Sequence, residues 1–194
     1  MNDFISKGTE IKQRIISEIN NSGQCIYLAM AYFTDKDIAN ALIETSNRGV
    51  IVDVILSSNL QNDNVKSLLL DAGIKVHSFD TGDARGIMHH KFCLIDNKIV
   101  INGSFNYSYN ASTNNVENIQ VSDDLSTYTQ FHDEFDRLKF NIDNNLDLGF
   151  DQIVPVERIG NEYIFVIGFS NSNATFSFRP LTKTSIICSF PLSK

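Results

Sequence analysis

Two nearly continuous apolar runs, Gln24 to Phe33 and Val50 to Leu56, constrain this chain more than any other feature. They are rich in residues suited to strands and lack the alternation of a half-exposed sheet, so they predict strands buried on both faces. What lies between them is helical. Thr34 is an N-cap candidate with Asp37 at the third helical position, Ile38, Ala41, Leu42 and Thr45 form a helical stripe, and Gly49 follows as a C′ residue. The alternation extends on either side. Thr9 to Asn20 predicts a helix with Ile11, Ile15 and Ile19 on one face. Asp63 to Ala72 predicts another, stopped by Gly73, and Ile74 to Phe79 a third strand. Strands and helices in this order predict an α/β fold with a largely parallel sheet in its first half.

The chemistry is concentrated between Met88 and Gln120. Strand alternation places His89 and Lys91 on one face and turns His90 to the other. Asp96-Asn97-Lys98 is a turn signal, Ile99 to Ile101 returns as a strand, and Gly103 breaks it to open a polar loop with Ser104 and Asn106. Together these side chains suit a phosphate: a lysine to neutralise charge, a hydroxyl and an amide to donate, and a histidine to attack or move a proton. Arg85, in the glycine-containing loop Asp80 to Ile87, is either a further phosphate contact or an exposed surface arginine. Asp96 reads as a turn former. Glu117, in a strand expected over Val116 to Val121, is either a surface charge or the acceptor for the His89 ring N–H. His77 and His132 are lone histidines with no functional assignment.

The order His89-x-Lys91, four residues, Asp96, six residues, then Gly103-Ser104-x-Asn106 resembles the HxKxxxxDxxxxxxGSxN motif of the phospholipase D superfamily, with every position filled. The resemblance covers about residues 5 to 140. It implies an α-β-α sandwich around a mixed sheet, a structural part for Asp96 and Gly103, and catalytic parts for His89, Lys91, Ser104 and Asn106. Glu117 sits where single-motif bacterial nucleases of this superfamily carry an acid that steadies the catalytic histidine. With one motif in the chain, the resemblance also implies a homodimer in which two copies of His89 share one site. Lysine and hydrogen bonds do the electrostatic work in that scheme, so no metal or other cofactor is expected.

Beyond the motif, Leu125 to Phe140 predicts a helix with Tyr128, Phe131, Phe135 and Leu138 on one face. An Asn- and Asp-rich stretch follows, then alternating β-type segments, notably Glu162 to Phe169 and Ala174 to Phe178 with Ser170 to Asn173 as a hairpin turn. We expect a catalytic domain over 1–141, a linker over 142–151 and a small β-rich appendage over 152–194, a specificity, oligomerisation or partner-binding element. The three cysteines, Cys25, Cys93 and Cys188, lie in strand-like runs without a CxxC pair and read as buried free thiols. No apolar run approaches a membrane span, and no lipid-anchoring motif or basic amphipathic helix is present. The first residues lack a signal pattern, so a cytoplasmic protein is expected.

The formal charge of −7 argues mildly against a non-specific nucleic-acid binder, although a local cationic groove overrides a bulk value. The resemblance points first to a nuclease acting on DNA or RNA. The alternatives are a phospholipid hydrolase of the cardiolipin-cleaving kind and a nucleic-acid or partner-binding module whose catalysis is vestigial.

Overall fold

The computed structural model describes residues 2–82 and 85–143, together with the backbone of 153–159, 162–169 and 172–178. The chain divides into two compact units, Met1–Leu146 and Asp147–Lys194. In the first unit the strands are β1 (Asn2–Ile5), β2 (Cys25–Met30), β3 (Ile51–Ser57), β4 (Lys75–Phe79), β5 (Lys91–Ile95), β6 (Ile99–Gly103) and β7 (Ile119–Ser122). The helices are α1 (Gly8–Asn21), α2 (Lys36–Asn47), α3 (Asp63–Asp71), α4 (Tyr109–Thr113) and α5 (Leu125–Asp143). The strands form one seven-stranded sheet in the order β1-β7-β6-β5-β2-β3-β4. β2, β3 and β4 run parallel, and every other pairing is antiparallel. This is the mixed sheet of an α/β fold, with its parallel half built from the early alternating segments.

Both faces of the sheet are covered, which is why its central strands lack polar alternation. In β2, Ile26, Leu28 and Met30 join a core with Ile11, Ile15 and Ile19 of α1 and Ile38 and Leu42 of α2. Ala29 joins a second core with Tyr128, Phe135 and Leu138 of α5. β5 divides in the same way, Cys93 and Ile95 to the first core and Phe92 and Leu94 to the second. Period-two alternation therefore persists, but between two apolar layers rather than between core and water. No helix among the described residues is long and apolar enough to cross a membrane.

Local differences from expectation have tertiary causes. α2 is capped by Asp35, which accepts from the backbone N–H of Asp37 and Ile38, and not by Thr34. Thr34 and Asp35 both donate their backbone N–H to the Tyr107 carbonyl, holding the chain extended one residue further. The final helix of this unit runs past Phe140 to Asp143, with Asn141 buried and Ile142 packed on the second core. The expected linker thus begins later than 142, and its residues 144–151 lie outside the described ones.

Asp96 lies at the end of β5 remote from His89. Its carboxylate accepts from Ser22 Oγ (2.8 Å) and from the backbone N–H of Gly23 (2.9 Å), Gln24 (2.8 Å) and Cys25 (3.1 Å). The β5–β6 turn is thereby fastened to the α1–β2 connection. Burial alone would raise this carboxyl, but the four hydrogen bonds hold it below its ordinary 3.8. Replacement by Ala is expected to cost about 2–4 kcal/mol at neutral pH, read from urea midpoints. Because the folded value is depressed, this stabilisation is present above the unfolded value and is lost as pH falls through the folded one. The gap between wild type and Asp96→Ala should therefore narrow below about pH 4.

The second unit holds β8 (Ile153–Ile159), β9 (Glu162–Phe169) and β10 (Ser172–Phe178) in an antiparallel sheet ordered β10-β9-β8. Ser172 pairs with Phe169 and Asn173 with Gly168, so these two residues of the expected turn belong to the strand. Residues 170 and 171, like Cys188, lie outside the described ones.

Candidate active site

The site forms at the edge where β2 ends and β5 begins, since Met30 pairs with Lys91. His89 precedes β5 and is exposed. Lys91 Nζ lies 3.0 Å from His89 Nε2 and donates to the His89 carbonyl at 3.0 Å. An ammonium can only donate, so this contact selects the imidazole tautomer with its lone pair on Nε2 and its proton on Nδ1. Tyr32, just beyond β2, stands edge-on to the His89 ring with centroids 6.4 Å apart. Partial burial, then the charges of Lys91 and His90, hold the His89 imidazole below its ordinary value. Burial likewise lowers Lys91, with the Glu117 carboxylate opposing it. Near neutral pH, then, the histidine is uncharged and nucleophilic beside a positive charge.

The loop after β6 is shaped by its buried residues. Phe105 and Tyr107 insert into the core, and Tyr107 also makes a parallel bridge with Phe33. Ser104, Asn106 and Ser108 consequently alternate toward the outside. Ser104 Oγ donates to Glu117 and accepts from the Asn118 backbone N–H at 3.0 Å. Asn106 instead lines a cavity of about 320 Å³ shared with Tyr32, Gln61, Tyr109, Asn110 and Asn115. Asn106 Oδ1 is buried without a hydrogen-bond partner.

The sequence expectations meet this geometry unevenly. His89 and Lys91 are brought together. Ser104 is paired with Glu117 rather than turned with Asn106 into one phosphate pocket. Glu117 differs from expectation in two respects. It precedes β7 instead of lying within it, because Gly103 pairs with Ile119 and the ladder starts there. Its two oxygens accept from Ser104 Oγ and from Asn115 Nδ2 (2.9 Å), not from the His89 ring. Its charge bears on Lys91. Arg85 is exposed in the loop leading to His89. Tyr32 and Asn115 were not singled out by sequence: Tyr32 is hidden in an apolar run, and Asn115 in an Asn-rich stretch that reads as loop.

His90 turns to the other face, as alternation requires. Its Nε2 lies 2.8 Å from Glu134 Oε1, and Arg137 donates to both oxygens of the same carboxylate at 2.7 Å. Although burial would raise Glu134, these donors pull it down to about 2. The residue beside His89 is thus tied to α5.

A family model described as cardiolipin synthase, PLD-like domain, matches residues 15–139. The chain is 32% identical over 128 residues to the mitochondrial cardiolipin hydrolase of Mus musculus, covering 64% of this chain and 56% of that protein. It is 34% identical over 116 residues to phospholipase D of Rickettsia prowazekii, covering 57% and 53%. It therefore spans little more than half the length of these relatives. Among solved structures, NucT from Helicobacter pylori matches with a TM-score of 0.65 at 26% identity, over 72% of this chain and 96% of that one. The Salmonella typhimurium phospholipase D family member Nuc shares the fold, with a TM-score of 0.64 at 23% identity over 73% and 96%. With the family model matching well over half of the chain, this protein belongs to the phospholipase D superfamily of phosphodiesterases.

Proposed function

We propose that this protein is a metal-independent nuclease that cleaves DNA or RNA through a phosphohistidine formed on His89. The observation that carries the reading is the Lys91 ammonium 3.0 Å from Nε2 of the exposed His89. The contact fixes the lone pair on that nitrogen, and an entering phosphate draws the ammonium to its own oxygens and frees the lone pair to attack. Nε2 attacks the phosphorus of a diester, and the bond to the leaving ester oxygen breaks. A proton passes to that oxygen from His89 of a second copy of the chain, bound across a two-fold axis. The same imidazole then deprotonates a water, which breaks the P–N bond and frees His89. Lys91 and Asn106 hold the non-bridging oxygens, while Ser104 keeps the Glu117 carboxylate beside Lys91. Arg85 is a further phosphate contact on the approach to His89.

Nucleic acid is favoured by the wall of the adjoining cavity, in which no described residue is aliphatic. A second reading, hydrolysis of a cardiolipin-type phospholipid, is favoured by the name of the mitochondrial relatives. The test is turnover by wild type in excess EDTA on single- and double-stranded DNA, on RNA and on cardiolipin vesicles. Metal-independent cleavage of a nucleic acid supports the proposal. Cleavage of cardiolipin alone moves the assignment to the second reading, and binding of nucleic acid without turnover to a vestigial module.

The pH profile carries its own expectation. Since His89 titrates below its ordinary 6.5, the acid limb of kcat/KM should fall below that value. Lys91→Met removes a neighbouring positive charge, which favours the protonated imidazole, so the limb should move upward. The same substitution should slow turnover by about 10²–10³-fold, the usual loss on removing one transition-state donor.

A further inference from the structure

Resting on the nuclease reading, we propose that the cavity bounded by Tyr32, Asn106 and Tyr109 is a nucleobase pocket. It would hold the base of the nucleotide adjoining the scissile phosphate. Its wall is made of amides, hydroxyls and tyrosine rings: among the described lining residues none is charged and none is aliphatic. A second phosphate would lack a counter-charge there, and an acyl chain would lack an apolar wall. A base matches both features, since its edge carries donors and acceptors and its face stacks on an aromatic ring.

Position supports the same occupant. Tyr32 belongs to the cavity and also stands edge-on to His89, so the pocket begins beside the reacting phosphorus. A base lies one sugar away from its phosphate. Tyr109 opens α4 and is 69% exposed, an aromatic face with no place in the core. Gln61, on a single 3-10 turn (Leu60–Asn62), adds an exposed side-chain amide to the wall. That turn is rigidly placed: Asn62 donates to the carbonyls of Ala31 and Ser57, both at 2.9 Å, and accepts from the Phe33 backbone N–H at 2.8 Å. Asn106, half-buried, adds a side-chain amide to the same wall. At about 320 Å³ the cavity is at the small end of ligand sites, with room for one base and none for a stacked duplex. The base must therefore be unstacked before it enters, and single strands are preferred.

The experiment combines variants with substrate surgery. Tyr109→Ala and Gln61→Ala are assayed on a single-stranded oligonucleotide, on the same strand with an abasic residue beside the cleaved linkage, and on bis(p-nitrophenyl) phosphate. On the intact strand Tyr109→Ala is expected to lose about tenfold or more in kcat/KM, the scale of one lost base–aromatic stack, and Gln61→Ala about fivefold, the scale of one lost hydrogen bond. Neither should change on the abasic strand or the small diester, where no base is present to lose. Equal losses on all three substrates, or none on the intact strand, would overturn the proposal. The variants are also assayed on cardiolipin vesicles, and losses confined to these would overturn the proposal by assigning the pocket to a lipid head group. If wild type cleaves no nucleic acid, the nuclease reading fails separately, and the same comparison is read as affinity for the intact and abasic strands. Equal affinities there would overturn the base pocket as well.

Discussion

His89→Ala is expected to lower turnover by at least about 10⁴-fold while leaving the fold intact. Both halves of this expectation follow from the geometry. The imidazole supplies the nucleophilic nitrogen beside the Lys91 ammonium, and Lys91 cannot replace it, because its own nitrogen is protonated and engaged with the His89 carbonyl. Yet His89 is exposed and outside both cores, so its loss should shift the urea midpoint by no more than about 0.5 kcal/mol in stability. His90→Ala makes the informative contrast. It removes the contact with Glu134 that ties this segment to α5, so stability should suffer more and turnover less. Substantial activity in His89→Ala, or a larger loss in His90→Ala, would show that the two histidines have been assigned in the wrong order.

Gly103→Ala should be strongly destabilising, costing about 3 kcal/mol or more. A Cβ at this position would lie 2.2 Å from the Asn118 carbonyl oxygen and 2.8 Å from the Ile119 Cα. These are backbone atoms of the neighbouring strand, so relief requires β6 and β7 to part. That movement would also disturb Ser104, whose backbone N–H donates to the Asn118 carbonyl at 3.0 Å and whose hydroxyl meets Glu117. Urea midpoint and turnover should therefore fall together. Gly23→Ala is the control, since nothing lies within 4 Å of its added Cβ, and it should stay within about 0.5 kcal/mol of wild type. A Gly103→Ala protein as stable as wild type would contradict the close approach of the two strands.

How far the sequence could be read depended on how local the signal was. The α/β class was legible because the signal was local: α1 and α2 carry a helical stripe, and β2 and β3 a continuous apolar run. β1 was not. It is four residues long, its Phe4 is 72% exposed, and it is a strand only because β7, more than a hundred residues later, pairs with it. α4, at five residues, is too short for a helical stripe, and Ser108 caps it by accepting from the Ala111 N–H. The cap of α2 fell on Asp35 rather than Thr34 because the Tyr107 carbonyl, far along the chain, fixes both residues.

The site shows the same division. His89 and Lys91 sit two residues apart at the start of a strand, so alternation alone joins them. Glu117 depends on where the β6–β7 ladder begins, which is set by the pairing of Gly103 with Ile119 across a loop. The strand expected from Val116 begins three residues later, at Ile119, so Glu117 lies before the ladder and is not aimed at His89. Tyr32 and Asn115 become visible only when the end of β2 and the segment after α4 converge on one cavity.

The measurement that bears most directly on the proposed chemistry is a rapid-quench experiment in excess EDTA. It uses the diester identified by the substrate panel, labelled at the scissile phosphorus. The expected result is a transient, acid-labile phosphoryl group on the peptide containing His89, formed at the rate of leaving-group release and absent from His89→Ala. Cleavage that never labels the protein, or that requires an added divalent metal, would contradict a phosphohistidine on His89.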